Sequence, residues 1–353
     1  ENRKATYAQL NQFNSSFTPL LTGNYQFRIT DLSNSQKIDI SSTVPVINDN
    51  SNAEIHFEWD YSGNRPVQKP IGVAADGVSR IYLKISKKQG VQKTISSVSI
   101  NIFDPINPTI TTNTLLGKLM PASNITSYSL EANSATQTSA SNTISGPNNM
   151  FWFWYVAPED FVRNYNDTLL SERRLQFTAT VNYTDNSSEQ IDKDIIIVRP
   201  PLMLVHGWVG APSAWDKFFY RQNNDPLISI GFEFRNSPLW KNNNIRAITL
   251  DGVGSFAKNA RTLLNLNDFG DFFQPHMMPY NSPNTFIDFL RKMRNQGYAS
   301  NRVDYVSHSM GGCVLRTAIN LYPNKYKPSI SEKTEFKNYN SGFVNKFFTM
   351  NTP

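Results

Sequence analysis

Apolar and polar residues alternate along much of the segment 53–198, the pattern of β-strands that bury one face. Alternating runs lie at 55–59, 81–85, 98–102 and 175–183, and a short apolar run lies at 195–198. The run 151–156 is apolar and aromatic throughout, which is typical of a strand buried on both faces. Clusters of Gly, Pro, Asn and Asp separate these runs, and no helical pattern intervenes. The pattern therefore predicts a β-sandwich.

The pattern changes after Arg199-Pro200-Pro201, where strand-like and helix-like stretches begin to alternate. Strands are predicted at 202–205, 245–250, 303–306 and 344–350. Helices are predicted at 213–220, between an N-cap at Ser282 and a terminal Gly297, and at 310–321. Such alternation predicts a parallel sheet with its ligand site at the carboxyl ends of the strands. The chain thus divides into a polar segment 1–52 with one strand near 23–29, a β-sandwich 53–198 and an α/β region 199–353.

Composition and charge argue against several functions. The 353 residues are 39% apolar, enough for a core, and carry a net charge of +6 from scattered Lys and Arg residues, so nucleic-acid binding is not expected. No apolar run reaches the length of a transmembrane helix. Cys313 is the only cysteine and is interpreted as a small core residue. No phosphate loop, dinucleotide motif or metal-ligand cluster occurs, so neither a cofactor nor a metal is predicted.

The chemistry is expected at Ser307-His308-Ser309-Met310-Gly311, between a predicted strand and a predicted helix. A strand, a sharp turn with Ser at its apex and a helix form the context of a nucleophile elbow. The turn needs small residues two before and two after the nucleophile, and Ser307 and Gly311 meet that condition, although the first is usually Gly. A polar turn without chemistry is the alternative interpretation.

A second motif, His206-Gly207-Trp208-Val209-Gly210, follows the predicted strand 202–205. With Ser309-Met310-Gly311-Gly312 and Asn351-Thr352-Pro353, it resembles the α/β-hydrolase family, and bacterial lipases and esterases in particular, over residues 200–353. The resemblance implies Ser309 as the nucleophile, the amides of Trp208 and Met310 as the oxyanion hole, and His206, Gly207 and Gly311 as structural residues. A weaker resemblance, carried by residues 72–85 and 155–158, is to bacterial immunoglobulin-like repeats. Together they imply an immunoglobulin-like sandwich followed by an α/β-hydrolase domain that lacks its C-terminal strands.

A general base for Ser309 is not evident. The four histidines are His56, His206, His276 and His308, and none follows Ser309, as the resemblance would require. We expect the acid and base beyond Pro353, on a further segment or a second chain. The alternatives are a degenerate site without a triad, a displaced base at His276, and His206 as the base.

The expected function is hydrolysis of carboxylic esters by a secreted or cell-surface lipase or esterase that contacts an ester or lipid substrate at a cell surface or lipid interface. Apolar residues within 221–281 would form a lid or acyl-chain wall, or would simply pack. An acyltransferase or amidase could use the same residues. The rival from another class is a surface binding or adhesion protein with an inactive hydrolase-like domain.

Overall fold

The structure, a computed structural model, describes residues 23–30, 37–46, 51–60, 68–122, 137–210, 212, 215, 239–251, 253–266, 285–327 and 338–352. The chain divides into two compact units, residues 1–51 and 52–353. In the described part of the first unit, β1 (Gly23–Thr30) and β2 (Lys37–Val46) pair antiparallel, with a register shift between Gln26 and Arg28.

The second unit is rich in strands. Its described strands are β3 (Ala53–Trp59), β4 (Gly72–Ala74), β5 (Arg80–Lys87), β6 (Ile95–Phe103), β7 (Lys118–Ala122), β8 (Ser139–Asn142), β9 (Phe151–Val156), β10 (Glu172–Tyr183), β11 (Ser188–Val198), β12 (Leu202–Val205), β13 (Ile245–Ile248), β14 (Tyr298–Ala299), β15 (Val303–His308) and β16 (Val344–Met350). Its described helices are α1 (Asn113–Leu116), α2 (Phe256–Leu263), α3 (Phe286–Asn295), α4 (Met310–Leu321) and α5 (Pro323–Tyr326).

Two sheets face each other across one apolar core to form a sandwich. One has the strand order β14-β4-β11-β10-β6-β8, and the other has the order β3-β5-β9-β7. The inward side chains are those of the alternating pattern, and Phe177 of β10 meets Phe57 and Tyr155 of the opposite sheet edge-on, with ring centroids 5.9 and 4.9 Å apart. Strand β9 is buried at every position because Trp152 and Trp154 pack in a second cluster on its other face.

The sandwich is joined to the segment that leads into β15. Strand β14 adds to the sandwich sheet by pairing parallel with β4, with Tyr298 opposite Gly72. A Cβ at Gly72 would lie 2.3 Å from the carbonyl oxygen of Ile196 on β11, so only glycine allows this close packing of strands. The buried carboxylate of Asp76 then accepts hydrogen bonds from the amides of Asn301 (3.0 Å) and Arg302 (3.1 Å). The chain therefore enters β15 from a fixed point on the sandwich.

A second, parallel sheet has the order β13-β12-β15-β16. Helices α2, α3 and α4 contribute to an apolar core on one of its faces, where Phe286, Tyr305, Met310 and Val314 are buried. Helix α3 begins at the N-cap Thr285, whose hydroxyl accepts from the amide of Asp288; the N-cap predicted at Ser282 lies outside the described residues. Because all four strands are parallel, the segments after them meet at one edge of the sheet.

The predicted fold class, an immunoglobulin-like sandwich followed by an incomplete α/β-hydrolase domain, is wrong. Of the sixteen strands in the described residues, twelve belong to the sandwich or the β1-β2 pair and only four to the parallel sheet, so the sandwich, not the parallel sheet, supplies most of the described strands. The physical reason for the error is that a strand–turn–helix motif specifies the backbone over about one turn and its flanks. The number and order of strands depend on long-range pairings that such a motif does not encode.

Candidate nucleophile site at the end of strand β15

Ser309 stands between the last residue of β15 and the first residue of α4 in a strained backbone conformation, with φ 48° and ψ −117°. Such a conformation costs a non-glycine residue on the order of 1–3 kcal/mol and persists only where the surroundings impose it. A Cβ at Gly311 would lie 2.9 Å from Cγ1 of Val205, so the first turn of α4 rests directly on β12. This backbone conformation places the Ser309 side chain at the carboxyl edge of the sheet, where the residue is half-buried.

Hydrogen bonds fix the Ser309 backbone on both sides. Its N–H donates to the carbonyl of Met350 (2.9 Å), and its carbonyl accepts from the amide of Gly312 (3.1 Å) and from Oγ1 of Thr352 (3.0 Å). Three bonds of about 1 kcal/mol net each are of the size needed to offset the strain. Within the described residues, no group hydrogen-bonds to Oγ of Ser309, so the hydroxyl is not engaged in holding the turn.

The turn after β12 lies against the nucleophile. The amide of Gly210 donates to the carbonyl of Gly207 (3.1 Å), and Val209 takes a positive φ of 53°. A Cβ at Gly207 would lie 3.0 Å from Cβ of Ser309, so glycine is needed for this approach. In the part of the chain that the structure describes, no hydrogen bond uses the amide of Trp208 or of Met310. The structure thus brings Trp208, Ser309 and Met310 to one place and leaves both amides available to an anion.

His206 is a buried link between two strand ends. Its Nε2 accepts from the amide of Leu250 (3.1 Å), so the proton lies on Nδ1, which donates to the carbonyl of Gly207 (2.8 Å). Both ring nitrogens are therefore occupied, and the imidazole ties the Gly207 turn to the segment after β13. This geometry leaves His206 no nitrogen with which to take a proton from Ser309.

His308 packs beside the same turn. Strand alternation predicts that it points away from the site, but a Cβ at Gly207 would lie 2.8 Å from its Nδ1. Its ring therefore contacts the Gly207 turn. The alternative base His276 lies outside the described residues, and so do residues 221–238 and 267–281 of the predicted lid segment 221–281.

Two groups at the end of β16 hold the Ser309 turn, and the sequence patterns predict no role for either. Thr352 and the carbonyl of Met350 both bond to Ser309 and lie at the carboxyl end of the strand beside β15. The rule that parallel strands present their functional groups at that end could have found Thr352. Asp76, which anchors Asn301 and Arg302, lies 225 residues from the first of them, and no local signal points to it.

Two carboxylates of the parallel-sheet region have pKa values that are shifted in opposite directions. Asp251, after β13, has its pKa lowered because Lys258 donates to its carboxylate at 2.8 Å. At the other end of β15, burial raises the pKa of Asp304 to about 6, although Asn345 donates to it.

The described ranges contain no group of three or more His, Cys, Asp or Glu side chains placed to hold a metal ion. Among the described helices, none is long and apolar enough to cross a membrane.

Comparison with known proteins assigns no family. No protein-family model and no curated protein sequence matches the chain. Similar solved structures include a conjugative transposon lipoprotein from Bacteroides eggerthii, with 11% identity over 41% of this chain and 96% of that one and a TM-score of 0.22. The soluble domain of PmoD from Methylocystis has 8% identity over 41% and 90% of the two chains, with a TM-score of 0.22. The human F-spondin reeler domain has 6% identity over 40% and 91%, with a TM-score of 0.21.

These comparisons correct the resemblance drawn from the motifs. No protein-family model matches the chain and no hydrolase is found, so the predicted membership of the α/β-hydrolase family, with an immunoglobulin-like domain before it, is wrong. The TM-scores near 0.2 are too low for the matches to say anything of fold or function in this chain. What remains for a functional proposal is the local geometry around Ser309.

Proposed function

We propose that the protein is a serine hydrolase that cleaves carboxylic esters through an acyl-enzyme on Ser309. The observation that carries this proposal is the strained Ser309 turn, which presents an unengaged hydroxyl beside two unengaged backbone amides. Strain that costs free energy and is held by three hydrogen bonds is more readily explained by a reacting group than by packing alone.

The reaction follows from these positions. The Oγ of Ser309 attacks the ester carbonyl carbon and loses its proton to a base, and the carbonyl π electrons move onto oxygen. The amides of Trp208 and Met310 then donate to the oxyanion, and each such donor contributes about 3–4 kcal/mol to transition-state stabilisation in known cases. Collapse breaks the ester C–O bond, the alcohol leaves with the proton, and water repeats the sequence to release the acid.

The proposal needs a general base. His206 has both nitrogens engaged, and no described residue bonds to the Ser309 hydroxyl. The base is therefore proposed to be a His, oriented by Asp or Glu, on residues outside those described. It would be His276, or a His on a further segment or a second chain that joins the site.

Apolar side chains at the same edge favour an ester with an apolar acyl group. Trp208 and Val209 after β12, and Val253 after β13, are 56%, 70% and 72% exposed. Trp208 and Val209 follow the strand next to β15, and Val253 follows β13, one strand further from the Ser309 turn. A secreted or cell-surface location with access to lipid belongs to the same proposal, and fractionation of producing cells tests it.

The test is the intact mass of the protein before and after a fluorophosphonate probe, with the adduct site mapped. We expect one adduct on Ser309 and none in Ser309→Ala. Ser307→Ala is the matched control, because this neighbouring hydroxyl is buried without a partner in the described structure and its removal should leave labelling intact. Labelling that survives Ser309→Ala at the full rate would show that another residue reacts.

A binding or adhesion protein with an inactive site is the second candidate. It is favoured by one observation, that the described residues provide no base within hydrogen-bonding distance of Ser309. If the folded wild-type protein forms no adduct, this candidate replaces the hydrolase.

A further inference from the structure

The end of β16 contacts the backbone of Ser309, the residue before one proposed oxyanion donor. The hydroxyl of Thr352 lies 3.0 Å from the carbonyl oxygen of Ser309, and the carbonyl of Met350 accepts from the Ser309 amide at 2.9 Å. Thus one strand end holds both sides of the strained residue. Both contacts are made to the Ser309 backbone and neither involves its Oγ or the Gly207 turn.

The peptide unit between Ser309 and Met310 links Thr352 to the chemistry. A trans peptide is planar, so the carbonyl of Ser309 and the N–H of Met310 point in opposite directions within one rigid plane. A donor that fixes the carbonyl therefore fixes the N–H as well. It also polarises the peptide, since hydrogen bonds in series strengthen one another.

The proton of Thr352 can be assigned from its two contacts. Its hydroxyl carries one proton, which the Ser309 carbonyl receives because a carbonyl only accepts. The contact between the hydroxyls of Thr349 and Thr352 must then be donated by Thr349. The order of donation runs from Thr349 to Thr352 to the Ser309 carbonyl.

The packing of α4 leaves room for this contact only because residue 312 is glycine. A Cβ at Gly312 would lie 2.6 Å from both Oγ1 and Cγ2 of Thr352. The amide of Gly312 supplies the other donor to the Ser309 carbonyl, at 3.1 Å. The carbonyl is thus held from the helix and from the strand at once.

We infer that Thr352 is a positioning residue, whose hydroxyl aims the Met310 amide at the oxyanion; this rests on the proposed function of Ser309. Thr352→Val keeps the shape but removes the donor, and Thr352→Ser keeps the donor. Thr317→Val is the matched control, because the Thr317 hydroxyl also donates to a backbone carbonyl in α4, that of Cys313 at 2.9 Å, away from Ser309.

The experiment measures the rate constant of fluorophosphonate labelling of Ser309 against probe concentration for the full chain and these variants. We expect Thr352→Val to lower the limiting rate about fivefold, the effect of one net hydrogen bond, with half-saturation unchanged. Thr352→Ser and Thr317→Val should stay within about twofold of wild type. Equal rates for Thr352→Val and wild type would overturn the inference.

Amide hydrogen exchange at Ser309 and Met310 is a second test, and it does not depend on whether Ser309 reacts with the probe. Exchange at Ser309 should be faster in Thr352→Val and as in wild type in Thr352→Ser, because the strained turn loses one of its restraints. Unchanged exchange in Thr352→Val would reject the positioning role. Absence of an adduct on wild type, with exchange as expected, would reject the hydrolase proposal while leaving the positioning of the turn supported.

Discussion

Replacing Asp76 tests whether the sandwich supports the segment that leads to Ser309. The side chain is fully buried and accepts five hydrogen bonds. The donors are the amides of Val78 and Ser79 at Oδ1, and the hydroxyl of Ser79 and the amides of Asn301 and Arg302 at Oδ2. Asp76→Ala leaves all of these donors without their acceptor.

The magnitude follows from the donors left behind. An unsatisfied buried donor costs about 1–3 kcal/mol, and the amides of Asn301 and Arg302 would meet a new apolar side chain rather than water. With partial relaxation of the turn at Val78 and Ser79, we expect a loss of about 4 kcal/mol in the free energy of unfolding. Asp76→Asn should lose about 3 kcal/mol, because in either orientation its amide NH₂ faces backbone donors.

Urea unfolding followed by tryptophan fluorescence measures both variants. Asp185→Ala is the control: this carboxylate caps a similar turn, accepting from the amide of Ser187 at 3.0 Å and from its hydroxyl at 2.5 Å, but it is exposed. It should lose less than about 1 kcal/mol. A loss below about 1.5 kcal/mol for Asp76→Ala, or wild-type stability for Asp76→Asn, would refute the reasoning.

Three further changes probe the site and its strand. Gly207→Ala places a Cβ 3.0 Å from that of Ser309 and should cut fluorophosphonate labelling at least tenfold; unaltered labelling would contradict the close approach. His206→Ala removes the hydrogen bonds that join the Gly207 turn to Leu250, so it should lower both the labelling rate and the free energy of unfolding. If it changes neither, these hydrogen bonds do not support the site. Burial raises the pKa of Asp304 from 3.8 to about 6, so the folded state binds this proton more tightly than the unfolded state does. The free energy of unfolding should therefore fall by up to about 3 kcal/mol as the pH rises from about 4 to 6. Asp304→Asn should flatten that decline and be more stable than wild type at pH 7; an unchanged pH profile of the unfolding free energy would contradict it.

Local geometry was predictable from the sequence where a few residues decide it. The turn at Ser309 needs small neighbours and a following helix, and Ser307, Gly311 and α4 are arranged as predicted. The aromatic run of β9 was interpreted as a strand buried on both faces, and all six of its residues are buried.

Features that depend on distant partners were not predictable. Strand β14 pairs with β4, which brings residues 298–299 next to residues 72–73. The sequence pattern of neither segment predicts which strand it pairs with. The assignment to the α/β-hydrolase family failed for a related reason, since motifs that determine a turn do not determine the sheet around it. At α3, Thr285 with Asp288 three residues later is a local capping signal, and the structure has its N-cap at Thr285 instead of the predicted Ser282.

The pairing of β14 with the sandwich has a consequence for the order of folding. Asp76 and Asn301 are separated by 225 residues, and closing a loop of that length costs about 5 kcal/mol of chain entropy. Contacts of such separation form slowly and are rewarded only when the surface that receives them already exists. We therefore expect the sandwich edge at β4 to form first and to receive residues 298–302, so that the nucleophile turn forms after it. Until residues 298–302 pair with it, β4 would be an open sheet edge, and we expect the protein to aggregate most readily during that interval.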